Sequence, residues 1–349
     1  MNQTTMSAVR WHGRGDVRYE TVPRASSPGP GEIRVHVAWC GLCGSDVHEY
    51  LHGPFQVPVQ PHPTTKQSAP ITLGHEISGW VDAIGPRVSG LRHGDLVVLN
   101  ALLPCERCAP CGRGEVHLCT ALGHLGMSAD GGLAGFVTVP AAMAVPVPSH
   151  VPSEVAALAE PFAVAVHMVR QAAAARGPRA VVVGAGAIGL ATALLLRAEG
   201  TEVRLVDVAG LRLAHARELG FAAGKPEDDH GSWPLVFECS GAEGGLSLAV
   251  GLGEPGGLLV LAGLPAAPAR VDAAAIVLRE LRLVGSMSHL VEPDLRPAVD
   301  FLAAHPGEAA RLITGRVPLA DAVSGGLDVL AGPDRGRHAK VLVRVGARD

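Results

Sequence analysis

The segment 179–200 constrains the fold of this chain more than any other, because it joins an apolar strand to a helix through a glycine-rich turn. It reads RAVVVGAGAIGLATALLLRAEG, with Gly184, Gly186 and Gly189 in the spacing G-x-G-x-x-G. In such a unit the first glycine permits a tight turn, the second lets a pyrophosphate approach the backbone, and the third lets the helix pack closely. The segment therefore predicts a dinucleotide site, to which Ile188 at the start of the helix would also contribute.

The strand that follows, EVRLVD, ends at Asp207. A carboxylate at this place accepts hydrogen bonds from the ribose hydroxyls of NAD and repels the 2′-phosphate of NADP. We therefore expect NAD as the cofactor, with Arg212 packing against the adenine or the ribose. The alternative is a glycine-rich turn in an α/β fold that binds no nucleotide.

Three stretches of the chain differ in their pattern. Residues 1–155 consist of short strands and turns rich in glycine and proline, which indicates an all-β, barrel-like domain. Residues 156–293 alternate apolar strands with helices, which indicates a parallel sheet covered on both faces. Residues 294–349 hold a helix and a final strand, AKVLVRVG, which we expect to pair with the first domain. The predicted fold class is α/β, with a doubly wound sheet and a separate β domain.

The charge balance excludes several classes of function. Lys and Arg number 29 and Asp and Glu 33, for a net charge of -4, and only 18% of the residues are charged. These values argue against a disordered chain and against a generic electrostatic binder of nucleic acid. The first residues hold no apolar run, and the longer apolar stretches are interrupted by proline or glycine. We therefore expect a cytoplasmic protein whose partners are neither nucleic acids nor membranes.

Four of the seven cysteines fall in one short stretch, CERCAPCGRGEVHLC. In a chain without a disulfide framework, clustered thiols indicate a metal site. The members are Cys105, Cys108, Cys111 and Cys119, in the spacing C-x2-C-x2-C-x7-C. Four thiolates can close a tetrahedral zinc site, which would then be structural rather than catalytic. An iron–sulfur cluster is the alternative, because it uses the same ligands.

A second set of metal-ligating residues lies in GLCGSDVH, LGHEISG and LAEPFAVAVH. Cys43 and His75, with a carboxylate from Glu76 or Glu160, form the kind of set that holds a catalytic zinc and leaves a position for substrate. Taken singly, each residue could belong to a core or a turn. Their occurrence beside the four-cysteine stretch and the dinucleotide turn favours the catalytic interpretation.

The ordered motifs GLCGSDVH, GHEISGWVDAIG, EPFAVAVH, GAGAIG and VDVAGLRL, with the four-cysteine stretch, resemble the zinc-dependent medium-chain dehydrogenase/reductase superfamily. Within it, the chain is similar to the sorbitol and 2,3-butanediol dehydrogenase branch, which has a glutamate, here Glu160, where many alcohol dehydrogenases have a cysteine. The resemblance covers essentially the whole chain. It implies a GroES-like catalytic domain, a Rossmann domain, two zinc ions per chain and a homodimer or homotetramer.

The chemistry implied by this resemblance is hydride transfer between NAD(H) and a secondary alcohol or ketone. Zinc would act as a Lewis acid that lowers the pKa of the alcohol. Ser45 would contact the alcohol oxygen and His48 would pass the proton onward, since the ordinary pKa of histidine suits that task. Asp46 is expected to orient the loop.

A vicinal diol or acetoin is the first expectation for the substrate, and a sugar alcohol or cyclitol of a biosynthetic pathway the second. Two other functions are possible. A zinc-free quinone or enoyl reductase on the same fold would lack the counterparts of Cys43 and His75. A non-catalytic, zinc-stabilised NAD-binding protein would not need Ser45 and His48.

Overall fold

A computed structural model describes residues 4–173, 177–229, 231–265 and 267–346. In chain order the strands are β1 Thr5–Gly13, β2 Asp16–Pro23, β3 Glu32–Leu42, β4 Ile71–Thr72, β5 Glu76–Ile84, β6 Leu96–Leu99, β7 Leu102–Leu103, β8 Gly123–His124, β9 Phe136–Pro140, β10 Ala144–Pro146, β11 Arg179–Val183, β12 Glu202–Val206, β13 Ala222–Gly224, β14 Trp233–Glu238, β15 Gly253–Leu261, β16 Arg282–Gly285, β17 Ile313–Pro318 and β18 Lys340–Arg344. The α-helices are α1 Gly44–His52, α2 Ala109–Gly112, α3 Ser153–Ala156, α4 Ala159–Gln171, α5 Ala187–Ala198, α6 Gly210–Glu218, α7 Gly245–Leu252, α8 Ala273–Leu278, α9 Arg296–Ala304, α10 Pro306–Ala310 and α11 Asp328–Ala331.

The described residues form two compact units. The first comprises residues 4–160, 290–335 and 340–346, and the second comprises residues 161–289 and 336–339. No helix among the described residues has the length and apolar character needed to cross a membrane.

The first unit is built on a seven-stranded sheet in the order β10-β6-β5-β3-β18-β17, with β9 also paired to β3. In β3, Ile33, Val35 and Val37 alternate with less buried residues, because successive side chains of a strand point to opposite faces. The buried face packs with Trp11 and Leu73 in one apolar core. β18 lies beside β3, so two strands from the last part of the chain, β18 and β17, extend a sheet whose other strands come from the first part of the chain.

The second unit is a six-stranded parallel sheet in the order β13-β12-β11-β14-β15-β16. Its central strands are almost entirely apolar and buried, as expected for a parallel sheet covered by helices on both faces. The chain runs from β11 outward through β12 and β13, then returns to β14 on the other side of β11. The carboxyl ends of β11 and β14 therefore flank a topological switch point, where α/β sheets bind ligands. The predicted α/β class with a parallel, Rossmann-like sheet is confirmed.

Candidate active site

Cys43 and His75 are brought together by the pairing of β3 with β5. Cys43 follows β3 and caps the amino end of α1, while His75 immediately precedes β5. The two strands pair antiparallel with Gly41 opposite Glu76, so their ends place the three candidate ligands side by side. One ligand atom each from Cys43, His75 and Glu76 lies within 4.8 Å of the others. Gly41 is required here, because a Cβ at that position would overlap the Glu76 carboxylate.

The two nitrogens of the His75 ring face two polar side chains. Its Nε2 lies 3.4 Å from Ser45 Oγ, and its Nδ1 lies 3.6 Å from Asp46 Oδ1. The other Asp46 oxygen accepts a hydrogen bond of 2.8 Å from the backbone N–H of Cys43. A carboxylate behind one ring nitrogen is the usual support of a histidine that binds metal through the other. This arrangement, together with the thiol and carboxylate donors, fits zinc.

Burial sets the protonation preferences of this cluster. Burial raises the pKa of Asp46. Burial also acts to lower the pKa of His75, but Asp46, Cys43 and Glu160 together outweigh it and hold that pKa well above its ordinary value. Burial also raises the pKa of Glu160 to about 7, against the opposing attraction of His75. Glu160 lies buried in the first turn of α4, outside the group of atoms within 4.8 Å that includes Glu76.

Lys340 is part of this cluster, although the sequence analysis missed it. Its Nζ donates hydrogen bonds of 2.5 and 2.8 Å to the two oxygens of Glu76 and one of 3.1 Å to the carbonyl oxygen of Leu42. The side chains of Lys340 and Glu76 are only 4% and 1% exposed. Burial acts to lower the pKa of Lys340, but Glu76, Cys43 and Glu160 together outweigh it and the pKa is raised. Both carboxylate oxygens of Glu76, a candidate zinc ligand, therefore accept hydrogen bonds from the Lys340 ammonium group.

Ser45 and His48 lie one turn apart on α1, where residues i and i+3 share a face. The His48 ring stacks on the ring of Phe55, with centroids 4.3 Å apart and an interplanar angle of 24°. The structure thus places Ser45 against His75, and it places His48 farther along the same helix face.

The four clustered cysteines converge in a separate lobe that includes α2. Their sulfur atoms all lie within 4.8 Å of one another. Cys108 Sγ and Cys111 Sγ are 3.4 Å apart, far beyond the disulfide bond length of about 2.05 Å. The backbone N–H groups of Cys111 and Thr120 lower the pKa of Cys108 to about 6. Convergent thiols, one of them favouring the thiolate, fit a closed zinc site.

The glycine-rich turn in the second unit has the predicted geometry. Gly184 has a φ of 102°, which side chains rarely adopt, and a Cβ on Gly189 would overlap the carbonyl oxygen of Gly184. Gly186 caps the amino end of α5 and has open space where a side chain would project. Ile188 lies half-buried in the first turn of that helix. The turn therefore leaves room beside backbone N–H groups that can bind a pyrophosphate.

Asp207 fixes this turn from the end of β12. One carboxylate oxygen accepts a hydrogen bond of 2.7 Å from the N–H of Ala185, and the other accepts one of 2.8 Å from Ala209. The Arg212 guanidinium lies 3.8 Å from the same carboxylate. Each carboxylate oxygen can accept a second hydrogen bond. Asp207 can therefore hold the turn and still accept from a ribose hydroxyl.

Removing Lys340 should destabilise the protein, because Glu76 would be left as a buried, uncompensated carboxylate. For Lys340→Met we expect a loss of about 3–5 kcal/mol in the free energy of unfolding, measured by urea denaturation with zinc content checked in parallel. The double variant with Glu76→Gln should recover part of that loss. Equal stability of Lys340→Met and wild type would show that the ion pair is dispensable.

The second and third glycines of the turn, Gly186 and Gly189, should respond differently to substitution by alanine. Gly189→Ala forces a Cβ onto Gly184 and should cost about 1–3 kcal/mol of stability, seen as a lower melting temperature. Gly186→Ala has space for its methyl group and should melt near wild type, yet bind NADH more weakly in a fluorescence titration. Normal NADH affinity in Gly186→Ala would argue against a pyrophosphate at that position.

Two family models match the chain. The alcohol dehydrogenase GroES-like domain matches residues 29–149, and the zinc-binding dehydrogenase model matches residues 187–304. The (R,R)-butanediol dehydrogenase of Bacillus subtilis is 32% identical, over 97% of this chain and 99% of that protein. A protein of Aspergillus clavatus named "Probable D-xylulose reductase A" is also 32% identical, over 97% of this chain and 96% of its own length.

The crystal structure of 2R,3R-butanediol dehydrogenase from Bacillus subtilis superposes with a TM-score of 0.88 at 30% identity, covering 98% of this chain and 100% of that one. Family models, relatives and fold all agree with the resemblance found in the sequence motifs. The chain therefore belongs to the zinc-dependent medium-chain dehydrogenase family and is an oxidoreductase that uses zinc and a nicotinamide dinucleotide.

Proposed function

We propose that the protein transfers a hydride between NAD(H) and a secondary alcohol or ketone, with a vicinal diol or acetoin as its substrate. The observation that carries this proposal is the His75 ring, held between Ser45 and Asp46 beside Cys43 and Glu76. The similarity to butanediol dehydrogenases favours the diol. The similarity to a D-xylulose reductase supports the second candidate, a sugar alcohol or cyclitol.

Cys43, His75 and one carboxylate would hold the catalytic zinc. Zinc bound there supplies a Lewis acid for the alcohol oxygen. Glu76 is the nearer carboxylate, but it can bind a metal only if it shares or gives up hydrogen bonds from Lys340. Glu160 is the alternative ligand, and its buried, partly protonated carboxyl group would have to lose its proton first.

The proton of the alcohol would leave through Ser45 and His48. The Ser45 hydroxyl lies against Nε2 of His75, so an alcohol oxygen bound beside that ring would lie near it. His48, one turn farther along α1, would accept the proton and pass it to solvent. Both side chains belong to one helix, whose amino end is fixed by the hydrogen bond from Cys43 N–H to Asp46.

The dinucleotide would lie on Gly184, Gly186, Ile188 and Gly189, with Asp207 selecting NAD over NADP and Arg212 beside the adenosine. The four cysteines, Cys105, Cys108, Cys111 and Cys119, would hold a structural zinc. All seven cysteines of the chain are free thiols, which suits a reducing compartment such as the cytoplasm.

We also infer a homodimer or homotetramer. β16 forms an edge of the six-stranded sheet, with no partner on its outer side among the described residues, and Val277 and Leu278 on α8 are exposed. An unpaired edge strand beside apolar side chains pairs readily with a second copy of the same chain. Sedimentation should give a mass of two or four chains, and a monomer at micromolar concentration would contradict the inference.

The proposed function is tested by incubating the purified protein with NAD or NADP and a panel of alcohols that includes 2,3-butanediol, sorbitol, xylitol and a cyclitol. We expect NADH formation with 2,3-butanediol, faster with NAD than with NADP, and two zinc ions per chain. Asp207→Gly should narrow the difference between the cofactors. One zinc per chain and no turnover of any alcohol would support the non-catalytic alternative.

The proton relay and the metal ligands can be separated by substitution. His48→Gln should keep both zinc ions and slow alcohol oxidation by up to about 10²-fold, at the low end of general acid–base effects. The rate should recover as pH rises, because hydroxide can replace the missing base. Cys43→Ser, as the comparison, should lose one zinc and nearly all activity. Loss of zinc in His48→Gln would instead make His48 a ligand.

The cysteine lobe should be structural. Cys108→Ser should lose one zinc ion and lower the melting temperature, because a closed zinc site contributes directly to folding free energy. Metal analysis of the purified variant gives the zinc content, and thermal unfolding gives the melting temperature. A variant with full zinc content and an unchanged melting temperature would contradict the assignment.

A further inference from the structure

His48 has a second histidine beside it on helix α1. The chain holds 16 histidines, and His48 and His52 are the only two of them separated by four positions, the spacing that places side chains on one face of a helix. Their ring centroids lie 5.4 Å apart, with the ring planes at 64°. His48 is half-buried, whereas His52, in the last turn of the helix, is exposed. The proposed proton relay therefore ends beside an exposed imidazole.

Neither imidazole uses its nitrogens for a contact within the protein. Across the ranges that the structure describes, no side chain or backbone group forms a hydrogen bond or an ion pair with either ring. His48 stacks on Phe55, but stacking uses the face of the imidazole, whereas the lone pair of a ring nitrogen lies in the ring plane at its edge. Both rings can therefore bind a ligand through nitrogen without breaking an existing hydrogen bond.

The turn that carries His52 is held by the connection between β1 and β2. The carbonyl oxygen of Tyr50 accepts a hydrogen bond of 2.8 Å from the N–H of Gly15. The carbonyl oxygen of Leu51 accepts one of 2.9 Å from Nε of Arg14. The last carbonyl groups of a helix have no partner within the helix, and helix ends fray where nothing else binds them. Because this end is held, a ligand that binds both histidines would lose little free energy in ordering the backbone.

Two imidazoles one helical turn apart can chelate a divalent transition-metal ion. Zinc binds histidine nitrogen at about 2.0–2.1 Å, so two nitrogens on one tetrahedral ion lie about 3.3 Å apart. Ring centres are farther apart than the nitrogens that face the ion, and the observed 5.4 Å between the centroids fits this arrangement. His52 is exposed, so its ring can rotate to direct a nitrogen at the shared ion. Imidazole donors suit zinc, nickel and copper rather than magnesium or calcium.

We propose that His48 and His52 form a third zinc site, separate from the two candidate zinc sites already described, and that zinc bound there inhibits the enzyme. A neutral imidazole has one nitrogen lone pair that can accept a proton, and a metal bound to that lone pair blocks it. Zinc on His48 therefore removes the proton acceptor next to Ser45 and leaves the catalytic ligands and the dinucleotide turn unchanged. The inhibition rests on the proposed function of His48, whereas the binding of zinc does not.

Zinc binding is measured first, by equilibrium dialysis of protein without an affinity tag against micromolar zinc, followed by metal analysis. Zinc is the probe because it has no redox chemistry that could oxidise the thiols. Wild type should bind one zinc per chain beyond the two of the candidate sites. A second nitrogen on the same helix acts at a high effective concentration, so His52→Ala should bind this additional zinc about 10²–10⁴-fold more weakly. His48→Gln should lose it as well.

His93→Ala is the matched control for the binding measurement. His93 is an exposed histidine with no second histidine three or four positions away. The control variant should therefore bind as much zinc as wild type. The melting temperature of each variant is measured without added zinc, and we expect wild-type values for His52→Ala and His93→Ala, because both side chains are exposed.

Inhibition is measured as the rate of NADH formation with NAD and the alcohol on which the panel shows turnover, at increasing zinc concentration. The wild-type rate should fall as the third site fills. His52→Ala should match wild type without added zinc, because His52 takes no part in the proposed relay, and it should keep its rate over the zinc range that inhibits wild type. His93→Ala should be inhibited as wild type is.

The outcomes distinguish the two proposals. Equal zinc content of wild type and His52→Ala overturns the third site, and equal inhibition of the two overturns the inhibition, while the proposed dehydrogenase function stays intact in both cases. A third zinc that depends on His52 but leaves the rate unchanged overturns the inhibition and, with it, the role of His48 as proton acceptor. Absence of turnover with every alcohol overturns the proposed function, and dialysis alone then decides whether the third site exists.

Discussion

The register between β3 and β5 is the constraint on which the candidate active site depends. It places Gly41 opposite Glu76 and so brings Cys43, at the end of one strand, next to His75, at the start of the other. Because side chains alternate along a strand, a slip of one residue would turn these groups to opposite faces. The buried apolar residues of both strands, among them Ile33 and Ile77, oppose such a slip. The apolar core therefore specifies the position of the candidate metal ligands.

Buried charge is the second organising feature. Glu76, Lys340, Asp46 and Glu160 all lie within the same unit and away from water. Taking a charged group out of water is expensive unless a partner compensates it. Lys340 compensates Glu76, and Asp46 faces His75, so the cluster is close to electrically balanced before a metal enters. A divalent ion would then change protonation at these groups rather than simply add to an empty cavity.

Much of the fold and of the candidate site could be predicted from the sequence, because the patterns that indicate them are local. The spacing of Gly184, Gly186 and Gly189 and the four clustered cysteines are patterns within a few residues, and each has a direct geometric meaning. Lys340 could not be found in this way, since its partner lies 264 positions away and a lysine in a terminal strand usually indicates an exposed edge. The same holds for the buried Glu49, whose carboxylate accepts hydrogen bonds from the backbone N–H groups of Phe55 and Gln56. Backbone partners of this kind cannot be recognised from the pattern of side chains. Which of Glu76 and Glu160 binds zinc is likewise a matter of tertiary contacts, and it stays a prediction.

The place of β18 between β3 and β17 has a consequence for the order in which the protein can be assembled. During synthesis the strands up to β10 leave the ribosome long before β18, and Glu76 emerges long before the lysine that neutralises it. Until then residues 39–42 at the end of β3 lack their partner strand and Glu76 has no ammonium partner, so the early sheet is exposed to association with other chains. A nascent chain of this topology would gain from a chaperone that shields the edge of β3, and truncation before Lys340 would leave the sheet open and the metal site without its counter-charge.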